Sequence, residues 1–133
     1  LVIVGMQSDR TGERRLHIAV PCVIGAAGFI ATVAVPSTLA ISLVTLSIAA
    51  FGIWGALGPF WAMPTAFVAG TAAAGGIAIV NSVGNLGGFA GPYLVGIIKD
   101  QTGSNVAALL MLGGALLGMA VFTRCLPKTA TAA

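Results

Sequence analysis

Two asparagines and three aromatic residues stand out from an otherwise apolar sequence as groups that could bind a small molecule. Asn81 and Asn85 are four residues apart, so on a helix their amides share one face and offer donors and acceptors. Trp54, Phe60 and Trp61 lie in a separate apolar segment, where the two tryptophans, seven residues apart, share a face and could form a buried wall. Unpaired amides are costly in lipid and must face protein, water or ligand. The pattern fits a ligand cavity as well as it fits interhelical hydrogen bonding and ordinary ring packing.

Groups that could catalyse a reaction are missing from the same segments. No Asp, Glu, Lys or Arg occurs between Ile18 and Ile98, so a buried acid, base or activated nucleophile cannot be assembled there. His17 is interpreted as an interfacial residue at the start of a helix. Cys22 and Cys125 lie far apart without a partner motif and are interpreted as packing residues. We therefore predict no enzymatic activity, no metal site and no cofactor.

The composition is that of a membrane protein. Hydrophobic residues make up 58% of the 133 residues and charged residues only 7%, against about 25% charged in soluble domains. At about 20 residues per crossing, the long uncharged run can hold three or four membrane helices, and the stretch 101–123 can hold one more. The six Lys and Arg residues are scattered and do not form the basic face that nucleic acid requires. We predict a lipid bilayer as a partner and no nucleic acid.

Proline, glycine and charge divide the chain into an all-α arrangement of membrane-crossing helices. Basic residues near both ends place both ends in the cytoplasm by the positive-inside rule, which requires an even number of crossings and favours four over three. The resulting segments are the end of a helix with a cytoplasmic loop over 1–15, helices over 16–36, 39–68, 71–98 and 106–123, an external loop over 99–105, and a cytoplasmic tail over 124–133.

Glycines give the third of these helices a smooth surface. Gly84 and Gly88, and likewise Gly87 and Gly91, form two G-x-x-x-G pairs. Because small residues let membrane helices approach closely, the pattern predicts a neighbouring helix packed on this surface.

The first polar segment resembles a known transporter signature. Residues 5–15 are similar to the G-x-x-x-D-R-x-G-x-R-R motif of the major facilitator superfamily, through Gly5, Asp9, Arg10, Gly12, Arg14 and Arg15. Residues 58–67 and 70–93 resemble the tenth and eleventh helices of its anion:cation symporter branch, and 99–103 continue the likeness. The motif also has a physical sense, because glycines permit a tight turn, Asp suits the positive end of a helix, and cytoplasmic arginines can latch neighbouring helix ends.

The resemblance implies the C-terminal part of a twelve-helix transporter, comprising the end of helix 8 and helices 9 to 12 within the C-terminal six-helix half. It implies proton-coupled symport of small organic anions, such as tartrate-, phthalate- or aldonate-like acids, by alternating access in the cell (inner or plasma) membrane. Trp61 and Asn81 would line the substrate cavity, with Asn85 and Phe60 nearby. The N-terminal half of the same transporter would be a partner, because it supplies the groups for the anion charge and the coupling proton.

An alternative is a self-contained four-helix membrane anchor or a small dimeric exporter. A cation exporter would be expected to place an acidic residue inside a helix, and none is present between Ile18 and Ile98. An anchor needs only apolar helices, but it leaves the Asp9-Arg10 loop and the asparagine pair unexplained. The chain is accordingly expected to be part of a longer transporter and not to transport by itself.

Overall fold

The computed structural model describes residues 1–35, 38–67 and 71–126, and these residues form helices without any strand. The helices are α1 (Val2–Thr11), α2 (Arg14–Ala34), α3 (Leu39–Phe67), α4 (Thr71–Thr102) and α5 (Val106–Cys125). The all-α, multi-helix fold class predicted from the sequence is confirmed. The predicted helix ends at 36 and 68, and most of the predicted tail over 124–133, lie outside the described residues.

Where the sequence predicts an external loop from residue 99, the helix in fact continues. α4 runs through Thr102, and the chain leaves it at Gly103, which has a left-handed φ of 66°. The Gly103 N–H donates to the Lys99 carbonyl at 2.8 Å and ends the helix in the way that a C-terminal glycine typically does. The polar residues Lys99 and Asp100 mark the end of the apolar stretch, whereas the glycine conformation sets the end of the helix.

Three helices are long and apolar enough to cross a membrane, over Arg14–Ala34, Leu39–Met63 and Val106–Cys125. α4 has sufficient length with 32 residues, but its asparagines and glycines dilute its apolar side chains. A crossing by α4, and with it the total of four crossings, stays a prediction.

α2 is the central helix of the bundle. It packs against α3 and α5, while α1 lies against α2 and α3. α4 contacts α3 and α5 but, among the described residues, not α2. The core is built on α2 by Ile18 and Cys22, which meet Ala56 and Met63 of α3 and Ala120 of α5.

The two cysteines differ in their surroundings. Cys22 is fully buried in the core, as a packing residue should be. Cys125 is exposed on the last turn of α5, so its interpretation as a packing residue is wrong. A cysteine at the end of a helix has the same hydropathy whether or not a neighbour covers it, and here nothing among the described residues does.

The closest helix contact is formed by glycines of α2 and α3. A Cβ atom added to Gly28 would lie 2.5 Å from the Ala49 backbone nitrogen, and one added to Gly52 would overlap the backbone of Gly25. Near this contact the Thr32 hydroxyl of α2 donates to the Thr45 hydroxyl of α3 at 2.8 Å. Small residues and a hydroxyl pair are the usual means of joining helices in lipid, where apolar burial supplies little attraction.

The glycine surface predicted on α4 has no such neighbour within the described chain. Cβ atoms built at Gly84, Gly87, Gly88 and Gly91 meet no atom within 4 Å. The predicted neighbour is therefore not found among the described residues, and the packing of this surface stays a prediction. Spacing along a helix indicates which residues share a face. Which other helix packs against that face depends on residues elsewhere in the chain.

A Gly52→Ala substitution is expected to destabilise the bundle by about 1–3 kcal/mol, because the added methyl group overpacks the α2–α3 contact. Gly118→Ala is the matched control, since a Cβ at Gly118 of α5 meets nothing within 4 Å. The measurement is the thermal unfolding midpoint of each variant of the natural gene product, purified in detergent. Equal midpoints for the two variants would contradict a close glycine contact between α2 and α3.

Candidate functional site

A tight turn joins α1 to α2 within the sequence motif. Gly12 adopts a left-handed conformation with φ 67° and ψ −4°, and its N–H donates to the Ser8 carbonyl at 3.0 Å. A residue with a side chain is disfavoured in this conformation. α2 begins two residues later at Arg14, so Gly12 is the glycine that makes the turn.

Arg14 connects this turn to α3. Its guanidinium donates to the Ala62 carbonyl near the end of α3. The same guanidinium lies 3.8 Å from an Asp9 carboxylate oxygen, but the Asp9 side chain is largely exposed. Because exposed ion pairs contribute little, the hydrogen bond to the α3 carbonyl is the stronger of the two contacts.

Arg15 connects the turn to α5. Its guanidinium donates to the Leu126 carbonyl at 2.7 Å and approaches the Arg124 carbonyl at 3.5 Å. The last carbonyls of a helix have no partner within the helix and carry its negative dipole end, so a guanidinium stabilises them. Two adjacent arginines thus hold the ends of two different helices against the start of α2.

The other motif residues have looser contacts. Arg10 is exposed in the last turn of α1. Gly5 lies inside α1 and not in the turn, so its expected role in the turn is wrong. A short glycine pattern does not reveal which of its members lies at the break between helices.

The sequence did not predict the roles of two residues near the α1 contact with α3. A Cβ at Gly58 of α3 would lie 3.2 Å from the Leu1 carbonyl oxygen and 3.6 Å from the Gly5 Cα, so this glycine lets α1 approach α3. Ser8 is 1% exposed, and its hydroxyl has no hydrogen-bond partner within the described chain. The Gly58-Pro59 pair was a visible signal for the first residue, whereas nothing in the sequence indicated the burial of Ser8.

His17 has the role expected of it at the start of α2. Its Nδ1–H donates to the Glu13 carbonyl oxygen at 2.7 Å. Within the described residues no group of His, Cys, Asp and Glu side chains could hold a metal ion.

Of the predicted aromatic residues, Phe60 and Trp61 lie side by side on α3. Their rings meet edge to face, with centroids 5.5 Å apart and planes at 77°. Trp61 is 37% exposed, so part of the indole is available for contact. Trp54, two turns earlier, is 64% exposed, so among the described residues the two tryptophans do not form the buried wall that their spacing predicts.

The predicted amides lie on α4. Asn81 and Asn85 are both exposed and one helical turn apart, and neither amide has a hydrogen-bond partner among the described residues. No hydrogen bond joins the amide pair to the aromatic pair in this part of the chain. The structure therefore presents two separate pairs, Phe60 with Trp61 on α3 and Asn81 with Asn85 on α4, on helices that contact each other.

Comparison with known proteins finds relatives among bacterial transporters. The chain is 44% identical over 129 residues to "Putative tartrate transporter" of Agrobacterium vitis, which covers 97% of this chain and 28% of that protein. It is 38% identical over 117 residues to "Putative metabolite transport protein NicT" of Pseudomonas putida, covering 88% of the chain and 27% of the relative. A third relative, the "Quinolone resistance transporter" of Acinetobacter baumannii, is 34% identical over 129 residues, covering 93% of the chain and 30% of the relative.

No protein-family model matches the chain, and no solved structure matches it. The chain spans less than a third of the length of the curated relatives it matches. These relatives are named as transporters and not as enzymes, in agreement with the sequence-based expectation. With its apolar, membrane-length helices, the chain is a segment of a multi-pass membrane protein and a relative of these bacterial transporters, in agreement with its resemblance to the major facilitator superfamily.

Proposed function

We propose that the chain forms part of the substrate path of a symporter for small organic anions in the cell (inner) membrane. The observation that carries the proposal is the pair of unpartnered amides, Asn81 and Asn85, on one face of α4. In a membrane segment such groups need a polar partner. The tartrate named for one relative is a hydroxy dicarboxylate, which is the kind of molecule that supplies one.

The chemistry of the amides suits a hydroxy acid. Each carboxamide has two N–H donors for a carboxylate and one oxygen acceptor for a hydroxyl. Asn81 would bind the substrate directly and Asn85 would lie beside it. Phe60 and Trp61 would form an apolar wall that excludes water and strengthens these hydrogen bonds.

The charge of the substrate has to be balanced from elsewhere. A neutral amide orients an anion without neutralising it, and no acidic or basic side chain occurs between Ile18 and Ile98. We assign the cationic contact and the carboxylate that takes the coupling proton to the N-terminal half of the transporter. That half would be the partner that the chain requires for transport by alternating access.

The segment 5–15, which contains the turn between α1 and α2, would act as the cytoplasmic gating motif through Gly5, Asp9, Arg10, Gly12, Arg14 and Arg15. Basic residues flank the chain at both ends, which favours a cytoplasmic position for this turn and for the end of α5. Hydrogen bonds from Arg14 to α3 and from Arg15 to α5 hold three helix ends together in this structure. A rocking movement that separates these ends would have to break both contacts.

A self-contained anchor or small exporter finds no such support. The helices of such a protein have no reason to resemble proteins more than three times as long. The chain nevertheless matches 27–30% of the length of each of these relatives. The open amides would also have no role in it.

Asn81→Leu is expected to raise the KM for uptake of radiolabelled tartrate, because it keeps the branching of the side chain at Cγ and removes the hydrogen bonds. One hydrogen bond to a charged group contributes about 1.5–3 kcal/mol, which corresponds to a factor of about 10–100 in affinity. Uptake is measured in cells that produce the complete natural gene product. Ser82→Ala, on the same helix but on another face, serves as the control and should leave the KM unchanged. A wild-type KM for the Asn81 variant would contradict the role proposed for this residue.

Arg15→Gln is expected to lower both the thermal midpoint and the maximal uptake rate while leaving the KM near its wild-type value. The physical reason is the loss of charge-assisted hydrogen bonds to the end of α5, which contribute about 1.5–3 kcal/mol. Arg10→Gln is the control for stability and should leave the midpoint unchanged, since Arg10 is exposed and has no hydrogen bond in the described chain. If both variants unfold at the wild-type temperature, Arg15 does not stabilise the end of α5.

A further inference from the structure

An apolar groove of about 540 Å³ opens on the surface between α2 and α5. Leu16, Val20 and Ile24 form its α2 wall, and Val121 lies on the α5 side. Arg124 and the exposed Cys125 lie at one end of it. The groove combines an apolar floor with a cationic end, and neither the amide pair nor the aromatic pair is part of it.

None of the proposed substrate residues lines the groove. α4, which carries the amides, contacts α3 and α5 but not α2 among the described residues. Both groove-forming helices are long and apolar enough to cross a membrane. Val20 is 53% exposed and Val121 is 65% exposed. Within a bilayer, exposed apolar side chains of such helices have to be covered by acyl chains or by protein.

The length of the groove matches one leaflet. From Leu16 to Ile24 the α2 wall rises by about 12 Å, given 1.5 Å per helical residue. Half of a hydrocarbon core of about 30 Å is about 15 Å. The groove thus begins at the charged end of α2 and α5 and reaches most of the way towards the bilayer centre.

The charges at its end favour an anion. The Arg124 side chain is exposed and has no hydrogen-bond or ion-pair partner among the described residues. Arg15 lies next to it, and its guanidinium keeps N–H donors beyond those used on the α5 carbonyls. Glu13 lines the adjoining pocket with both arginines and supplies the acidic charge there, so the cations outnumber it.

We propose that this groove binds an anionic phospholipid, with one acyl chain between α2 and α5 and the headgroup phosphate held by Arg124 with assistance from Arg15. The charged end favours a lipid over a further transmembrane helix, which would bring an apolar surface to Arg124.

The test uses the complete natural gene product in nanodiscs that contain a trace of photoactivatable phosphatidylglycerol with a diazirine in one acyl chain. A parallel sample contains phosphatidylcholine with the same acyl chain. After irradiation, the crosslinked peptides are identified by mass spectrometry. We expect crosslinks on residues 16–24 and 120–125, with about fivefold more from phosphatidylglycerol, as one cation near a membrane surface contributes about 1 kcal/mol of attraction for an anionic lipid.

Arg124→Gln should reduce the phosphatidylglycerol crosslinks to the phosphatidylcholine level, whereas Arg124→Lys should keep most of the preference. Lys99→Gln, an exposed cation at the other end of the bundle, is the control and should change nothing in the groove. Equal crosslinking by the two lipids would show a non-selective boundary lipid and overturn the proposal. Absence of crosslinks from both groove walls would show that protein covers the groove, and this result would also overturn the proposal. Because these readouts do not involve transport, a failure here is separate from a failure of the proposed substrate.

Discussion

The close approach of α2 and α3 is the contact on which the other contacts of the bundle depend. At Gly28 and Gly52 the two backbones come near enough to exclude even a methyl group. In lipid, helices gain little from burying apolar surface, so contact between backbones and hydrogen bonds such as that between Thr32 and Thr45 must supply the attraction. With this pair formed, the remaining faces of α2 are available to α1 and α5.

The arginines follow from the same geometry. Arg14 and Arg15 are adjacent on the first turn of α2, so their side chains point about 100° apart around the helix. One therefore reaches α3 and the other α5, and both end on backbone carbonyls. A carbonyl near the end of a helix is a constant partner, because it is present whatever side chain occupies that position. A short polar loop can in this way hold several helix ends at once without a matching acid on each helix.

The candidate substrate residues show how far sequence reasoning reaches for a binding site. The four-residue spacing of Asn81 and Asn85 placed both amides on one helix face, and the neighbouring rings of Phe60 and Trp61 do form a pair. The assembly of both pairs into one cavity could not be predicted from spacing. It depends on the distance between α3 and α4, and α4 makes few contacts in the described chain, where its glycines are open. A transporter site formed between two halves is completed by residues far away in the sequence.

The sequence by itself determined the properties that depend on neighbouring residues. Hydropathy indicated a membrane protein, the charge pattern indicated the polar ends, and the motif indicated a transporter, because each of these signals lies within a short stretch of the chain. Tertiary structure alone decided that Gly28 and Gly52, and not the glycines of α4, lie in the helix contact, that Cys125 is exposed, and that Arg15 binds the end of α5. The physical reason is that shape complementarity and hydrogen bonds between residues distant in sequence determine which helices pack together. A local sequence pattern contains no information about these contacts.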